Sequence, residues 1–336
     1  MKRLRVLHVY EPADGGVPRY VAALRQLDLP GVEQRAAGPE GPDFRIGSGA
    51  RSPLAIARFS LDAIRVAARF RPDIVHLHST LASPLACALR YLVPGRVRVI
   101  YSPHAWHTWS CRHRLARLVS DVAHRALRHW HDHVACLSED EIDEAKRLGY
   151  RRYAEVGSQL PPDRERGVPE RDRRTNIILF VGRGGYQKGD DYLPALASRL
   201  SGTGEIVAIG PDIRVRGDNL TVLGPCDDVN DWYARAGVLV QPSRYEGLSL
   251  VTIEALTRGL PIVGFDVPGM RWVAARNFGS LVPLGDLDAM ACEIARYLAE
   301  RSCERQARAD RAAREFADPS LLAERVSRLY RETIQA

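Results

Sequence analysis

Short apolar runs rich in Val, Ile and Leu alternate with longer stretches of helical spacing along this chain. "LRVLHVY" (Leu4–Tyr10) is an apolar run with β-branched residues, followed by the turn-like "EPADGG", and it predicts a first strand. "VPRYVAALRQL" then has helical spacing, with Pro18 tolerated in the first turn. "PDIVHLHS" (Pro72–Ser79), "RVRVIYSPH" (Arg96–His104) and "DHVACLSE" (Asp132–Glu139) predict further strands, and "SEDEIDEAKRLGY" a helix opening at Ser138 with acids in its first turn. Strands alternating with helices imply a parallel α/β sheet.

"PPDRERGVPERDRRT" (Pro161–Thr175) interrupts the pattern. It is Pro-rich and charged, has little to bury, and reads as a linker. The alternation then restarts: "NIILFVGRGG", "EIVAIGPD", "LTVLGP", "VLVQPS" and "PIVGFD" are strand-like, with helical stretches between them. "SLLAERVSRLYRETI" closes the chain as an amphipathic helix behind a cap at "DPS". The expectation is two doubly wound α/β domains making a cleft. Ligands in such sheets bind outside the carboxyl ends of the strands.

Composition narrows the class. The 336 residues suffice for two domains, and 45% hydrophobic with 26% charged residues suits a soluble enzyme. The six cysteines form no CxxC pair and read as reduced thiols of a cytosolic protein. "MKRLRVLHVY" is basic, but its apolar part is too short for a secretory leader and carries His8. No apolar run approaches the roughly 20 residues of a membrane span, so any membrane contact is expected to be peripheral. Charge is uneven: residues 1–160 hold 24 basic and 16 acidic side chains, the remainder 24 and 25. All ten histidines precede residue 134. The basic half suits an anionic partner; general Arg richness is the plainer explanation but does not produce the asymmetry.

The candidate chemistry centres on "RYEGLSLVTIEALTRGLPIV" (Arg244–Val263). Ser249 reads as an N-cap and Gly259 with Pro261 as a stop, so a helix is expected from about Leu250 to Arg258. The amides of Gly247, Leu248, Ser249 and Leu250 then form an anion site for a diphosphate. Glu254 lies about 7 Å further along the axis, the reach of a ribose, whose cis-diol a carboxylate accepts. Glu246 lies on the other side of the amides, where a transferred sugar would be. The pair would bracket a nucleotide-sugar. Spacing alone leaves a second reading open, two surface glutamates near a helix start.

Glu-x7-Glu after "PS-x-x-EG", together with "GRGGYQKG", "DGGVPRYV", "PDIVHLHS", "SPHAWH" and "CLSEDE" in that family's order, resembles the retaining glycosyltransferases of family GT4, over nearly the whole chain. The resemblance implies the GT-B fold: two Rossmann-like doubly wound parallel-sheet domains facing a central cleft. Residues 1–160 would hold the acceptor, completed by a C-terminal helix at about 319–336, and residues 176–318 the nucleotide-sugar donor, with 161–175 between them. It implies that Arg183 and Lys188 clamp the donor diphosphate and offset charge on the leaving phosphate. The loop of Gly15 and Gly16 would cover the donor phosphate, and His104 would position the donor sugar. Asp228, or the backbone near Cys226, is placed at the nucleobase. No DxD-like metal motif stands in a comparable place, and two fixed cations remove the need for a divalent ion; no metal and no other cofactor is expected.

His76 and His78 alternate on one strand face, so a metal pair or a structural role is open, with no third ligand evident. His113, His124, His129, His131 and His133 fall in a basic helical region and are expected to be solvated. "RSPLAIARFSLDAIRVAARFRP" puts Arg58, Arg65 and Arg69 near one helical face and Leu54, Ala57, Leu61, Ile64 and Ala68 on another. It suits an anionic membrane or an ordinary helix on a sheet, as does "CRHRLARLVSDVAHRALRHWHDH".

The expected protein is therefore a cytoplasmic, metal-independent retaining glycosyltransferase, peripheral to the inner face of the membrane. It would use a UDP- or GDP-sugar, a sugar- or lipid-linked acceptor and no nucleic acid. A non-transferring GT-B enzyme of the epimerase kind would need further acids or bases at the sugar, for which there is no motif. An inactive GT-B scaffold is at odds with the intact set Arg183, Lys188, Glu246 and Glu254. A nicotinamide dehydrogenase lacks its GxGxxG after the first strand.

Overall fold

The computed structural model describes residues 3–47, 52–159, 175–226 and 229–336. The predicted linker, apart from Thr175, and Asp228 lie outside the described residues. The chain divides into two compact units, Met1–Ser158 with Pro319–Ala336, and Gln159–Asp318.

In the first unit β1 (Leu4–Tyr10), β2 (Val32–Gly38), β3 (Phe44–Arg45), β4 (Ile74–His78), β5 (Arg98–Ser102), β6 (His133–Cys136) and β7 (Tyr153–Glu155) form one parallel sheet in the order β3-β2-β1-β4-β5-β6-β7. In the second, β8 (Ile177–Val181), β9 (Glu205–Ile209), β10 (Leu220–Leu223), β11 (Val238–Gln241), β12 (Ile262–Phe265) and β13 (Gly279–Val282) form another, ordered β10-β9-β8-β11-β12-β13. Each is a doubly wound Rossmann-like sheet. Winding reverses between β1 and β4, and between β8 and β11, where such sheets open a crevice for ligands. The strands absent from the sequence reading (β2, β3, β7 and β13) are short or sparsely apolar, as in "VEQRAAG", and their pairing partners rather than their own pattern define them.

The two faces of the first sheet differ. Leu7, Val9, Val75, Leu77, Val99 and Tyr101 meet Phe59, Ala63, Ala67 and Phe70 of the helix Pro53–Phe70 in an apolar core. That stripe, spaced at i, i+4, i+8 and i+11, is the buried one. Leu54, Ala57 and Leu61, on the other apolar face named from the sequence, are exposed, so that face is not the one packed on the sheet. The opposite face carries His8, His76, His78, Ser102 and His133, all buried. Helices Gly16–Gln26 and Pro319–Gln335 meet this layer: Thr333 Oγ1 lies 3.1 Å from His133 Nδ1, and the Tyr330 ring stands edge-on to His76.

In the second unit the helix Leu250–Thr257 is buried almost throughout, which is why its sequence lacks a polar stripe. Arg305, itself buried, donates to the carbonyls of Tyr233, Ala236 and Arg258. It satisfies orphan carbonyls around the ends of the helices Asn230–Arg235 and Leu250–Thr257.

Candidate functional site

In the second unit the predicted residues gather at the carboxyl ends of β8 and β11. Gly189 has φ +69°, and a Cβ there would stand 1.9 Å from the Pro242 carbonyl oxygen. Only glycine lets the Lys-Gly segment lie on the Pro-Ser segment this closely. Arg244 ties the loops further: its guanidinium is bidentate to Asp191 at 2.7 and 2.6 Å, donates to the Tyr186 carbonyl, and lies over the rings of Tyr186 and Tyr192. Asp190 opens a 3-10 turn and accepts from the Gly185 amide at 2.8 Å.

This packing delivers Lys188 Nζ to Glu246 Oε1 at 2.7 Å. The same oxygen accepts from Ser243 Oγ at 2.7 Å and Gln241 Nε2 at 3.2 Å. Gln241 is itself oriented by the Thr252 hydroxyl, which donates to its other amide atom. Glu246 and Glu254 are each 4% exposed, so the surface-glutamate reading is excluded. Lys188 and Glu246 are therefore side by side as one part-buried ion pair. Gly269 makes room for it: a Cβ there would lie 1.8 Å from the Glu246 carbonyl oxygen.

Glu254 accepts at Oε2 from the Tyr233 hydroxyl at 3.0 Å. The helix of Glu254 begins at Leu250 with Ser249 as N-cap, and the Ser249 side chain makes no cap hydrogen bond. The first-turn amides of Leu250 and Val251 thus lack a side-chain cap, and Gly247 and Leu248 lead into them. Arg183 is exposed and joins no other described residue by a hydrogen bond or ion pair. Cys226 is exposed. Sequence reasoning missed Tyr233, Gln241 and Thr252. "VLVQPS" held the clue to Gln241, a polar residue ending an otherwise apolar buried strand.

The first unit assembles a different cluster. His104 follows β5 with φ +54°, and Ala105 follows it with φ +93°. Left-handed backbone at two successive non-glycine residues is strained, about 1–3 kcal/mol each. Glu141, fully buried, holds this turn: Oε1 accepts from the Ala105 amide and Oε2 from the Leu137 amide, both at 2.8 Å. Burial raises the Glu141 carboxyl to about 7, against the two amide bonds that favour its charge. The Ser-x-x-Glu of "SEDE" looks like a capping box. Instead its glutamate reaches Leu137 and crosses to the His104 turn.

His78 Nδ1 lies 2.9 Å from His104 Nε2, and His78 Nε2 lies 3.0 Å from His8 Nδ1. His8 Nε2 lies 3.0 Å from Gln34 Oε1. His76 stacks on His78 with ring centres 4.1 Å apart. The expectation that His76 and His78 lack a third neighbour is corrected, since donor atoms of His8, His76 and His78 lie within 4.8 Å of one another. Desolvation lowers all four histidines, His8 to about 4 and His104 to about 3. The expected solvation of His124, His131 and His133 is likewise corrected. All three are buried and lowered by burial, His124 to about 4 and His131 to about 3; His113 and His129 are exposed. Helical spacing placed these residues without showing that their faces meet the sheet. Gly15, with φ +89°, caps the helix that Gly16 begins, and neither has another heavy atom near the place a Cβ would occupy.

Two doubly wound parallel Rossmann-like sheets in one chain are the architecture of the GT-B fold class. Residues 7–156 match the model "Glycosyltransferase Family 4" and residues 175–300 match "Glycosyl transferases group 1". The chain is 24% identical over 315 residues to an uncharacterized 41.2 kDa protein in the cps region of Klebsiella pneumoniae, covering 84% of this chain and 87% of that one. Seven other curated relatives are matched over only 22% to 48% of their own length. Among solved structures, sucrose-phosphate synthase of Thermosynechococcus elongatus superposes with a TM-score of 0.76 at 20% identity, covering 98% and 99% of the two chains. Anabaena HepE in complex with UDP and glucose superposes with a TM-score of 0.75 at 12% identity, covering 98% and 100%. Fold and matched models together place the chain in the GT-B superfamily of nucleotide-sugar glycosyltransferases, broadly GT4-like.

Proposed function

We propose that the chain is a metal-independent retaining glycosyltransferase that moves a sugar from UDP or GDP to a sugar- or lipid-linked acceptor. The observation that carries the reading is the part-buried Lys188–Glu246 pair at the β8/β11 switch point, with Glu254 on the helix that opens beside it. An ammonium has three donors, so Lys188 keeps Glu246 and still offers protons to a diphosphate. The first-turn amides from Leu250 and the fork of Arg183 add to that clamp. Glu254 takes the ribose diol, Glu246 the transferred sugar, His104 a hydroxyl of that sugar, and the Gly15–Gly16 loop the phosphate. Asp228, or the backbone near Cys226, is assigned to the base. The bond from the sugar C1 to the phosphate oxygen breaks, the acceptor oxygen bonds C1 from the same face, and its proton passes to the leaving diphosphate. Structures of HepE with UDP-glucose support the donor class. The test is a panel of UDP-, GDP- and ADP-sugars scored for binding and slow hydrolysis; no binding by any of them would remove the reading.

Glu254→Ala is expected to weaken the free nucleoside diphosphate by about 1.5–3 kcal/mol for lost charged hydrogen bonds. Glu246→Ala should spare that affinity and impair transfer. Equal losses in calorimetry would refute the division of roles.

We further propose that the acceptor is met at an anionic membrane face. No described helix is long and apolar enough to cross a membrane. The helix Arg114–Leu127 nevertheless exposes Leu115, Leu118, Val119 and Val122, each 58–72% accessible, with Arg114, Arg117 and Arg125 also exposed. Spacing of i, i+3, i+4 and i+7 makes one stripe, and apolar stripes bordered by Arg bind anionic interfaces. Arg58, Arg65 and Arg69 are exposed with Leu54 and Leu61 on the helix Pro53–Phe70. Vesicle cosedimentation should rise with anionic lipid and fall with salt. Leu118→Glu with Val122→Glu, or Glu at all three of Arg58, Arg65 and Arg69, should reduce it without changing donor affinity. Absence of vesicle binding at low salt, with full activity on a soluble acceptor, would remove the membrane and leave the transferase assignment standing.

A further inference from the structure

The buried histidines form a hydrogen-bonded line whose direction one backbone carbonyl decides. Gln34 Nε2 donates to the Leu24 carbonyl at 2.9 Å. A carbonyl oxygen only accepts, so the amide is oriented, and its oxygen is the atom facing His8 Nε2. That oxygen also only accepts, so His8 carries its proton on Nε2. With one proton per neutral ring, His8 Nδ1 is a lone pair and accepts from His78 Nε2–H. His78 Nδ1 in turn accepts from His104 Nε2–H. Burial keeps the rings neutral near pH 7. At the end of the line His104 Nδ1 is left as an acceptor, and no described residue is hydrogen-bonded to it.

We propose that Gln34 is a positioning residue that sets the tautomer of His104 through His8 and His78, so that His104 presents a lone pair to its ligand. His104 then recognises a hydrogen-bond donor, a sugar hydroxyl or amino group, and disfavours a carboxylate or phosphate oxygen at the same point. The reversed line would make His104 Nδ1 a donor and invert that preference. The line also argues against a metal ion at His8, His76 and His78, because both ring nitrogens of His8 and of His78 are already spent on hydrogen bonds. A buried chain of this kind is costly to leave partly satisfied, which gives the Leu24 carbonyl its leverage over a ring four hydrogen bonds down the line. The inference rests on the glycosyl-transfer reading only for the identity of the ligand at His104.

The experiment is long-range proton–nitrogen correlation on the full chain labelled with 15N-histidine, the His104 signals being assigned by their loss in His104→Gln. Wild type at pH 7.5 should show His104 protonated at Nε2 and bare at Nδ1. In Gln34→Met, which severs His8 from the Leu24 carbonyl, His104 should divide between tautomers. In the same variant kcat/KM for transfer should fall about 3- to 10-fold, the scale of one neutral hydrogen bond, with affinity for the free nucleoside diphosphate unchanged. A wild-type His104 protonated at Nδ1 would overturn the inference without any variant. A single unchanged tautomer in Gln34→Met would overturn it as well, as would stoichiometric zinc converting His8 and His78 to metal-bound signals. If the tautomers are as stated but no nucleotide-sugar is turned over, the transferase reading fails and the relay stands.

Discussion

Lys188→Ala is expected to lower glycosyl transfer roughly 10²–10³-fold, the scale of one preorganised electrostatic donor, and to destabilise the second unit. A position on a loop would suggest that folding is spared. The structure argues otherwise, because the Lys188 ammonium is the cation on the Glu246 carboxylate, whose side chain is only 5% accessible. Without it, Ser243 and Gln241 are the remaining donors shown at that oxygen. A buried charge stripped of its partner costs about 1–3 kcal/mol or more. Arg183→Ala should lower turnover on a similar scale while leaving urea unfolding unchanged, because Arg183 is exposed and pairs with no described residue. Steady-state turnover with denaturant midpoints of both variants checks this. Near-wild-type turnover in Lys188→Ala would remove the phosphate-clamp role, and an unshifted midpoint would show that Glu246 does not depend on the pair.

The first unit should unfold in mild acid, between about pH 5 and 6, well above the ordinary carboxylate range. His8, His76, His78, His124 and His131 are all buried and held neutral, with pKa values lowered by desolvation. In the unfolded chain they protonate near 6.5. Stability is therefore intact above that pH and is lost as pH falls towards the folded values, which are about 4 for His8 and about 3 for His131. Each buried ring costs about 1.36 kcal/mol for every pH step of one below 6.5, so His8, His124 and His131 together cost about 4 kcal/mol at pH 5.5 and about 6 kcal/mol at pH 5, and His76 and His78 add to this in the same direction. Domains have only about 5–15 kcal/mol to lose. Glu141 acts with the opposite sign. The unfolded acid ionises near 4.5 while the fold holds it protonated up to about 7, so acidification returns about 2 kcal/mol between pH 7.5 and 5.5. That is too little to offset the histidines. The second unit contains no histidine. Hydrogen exchange at pH 5.5 should then show protection lost from the first unit and kept in the second. Uniform protection in both would show that the histidine layer is not a stability liability.

What the sequence determined by itself was local and periodic. Apolar runs such as "LRVLHVY" and "IILFV" make buried parallel strands wherever they fall, because a parallel strand covered on both faces is apolar at nearly every position. Ser138 caps its helix through a side-chain bond from the Glu141 amide, Ser249 stands at the N-cap position of its helix and Gly259 stops it, all within a few residues. The motif residues Lys188, Glu246 and Glu254 were likewise legible, because each follows a strand or sits at a counted distance from a helix start.

The tertiary structure decided which of these residues meet. Lys188 and Glu246 are far apart in sequence, and only the close approach of Gly189 to Pro242 makes them one ion pair. Tyr233 reaches Glu254, and Glu141 reaches Ala105, from separate elements. Periodicity identified the helix Pro53–Phe70 but not which apolar face packs on the sheet, because Leu54 and Leu61 are as apolar as Phe59 and only the sheet decides which side is covered. The histidines show the same division. The alternation of His76 with His78 put them on one face, but His8, Gln34 and His104 come from other strands and a turn. Their shared burial, neutral state and common proton direction arise from long-range packing, which residue spacing does not encode.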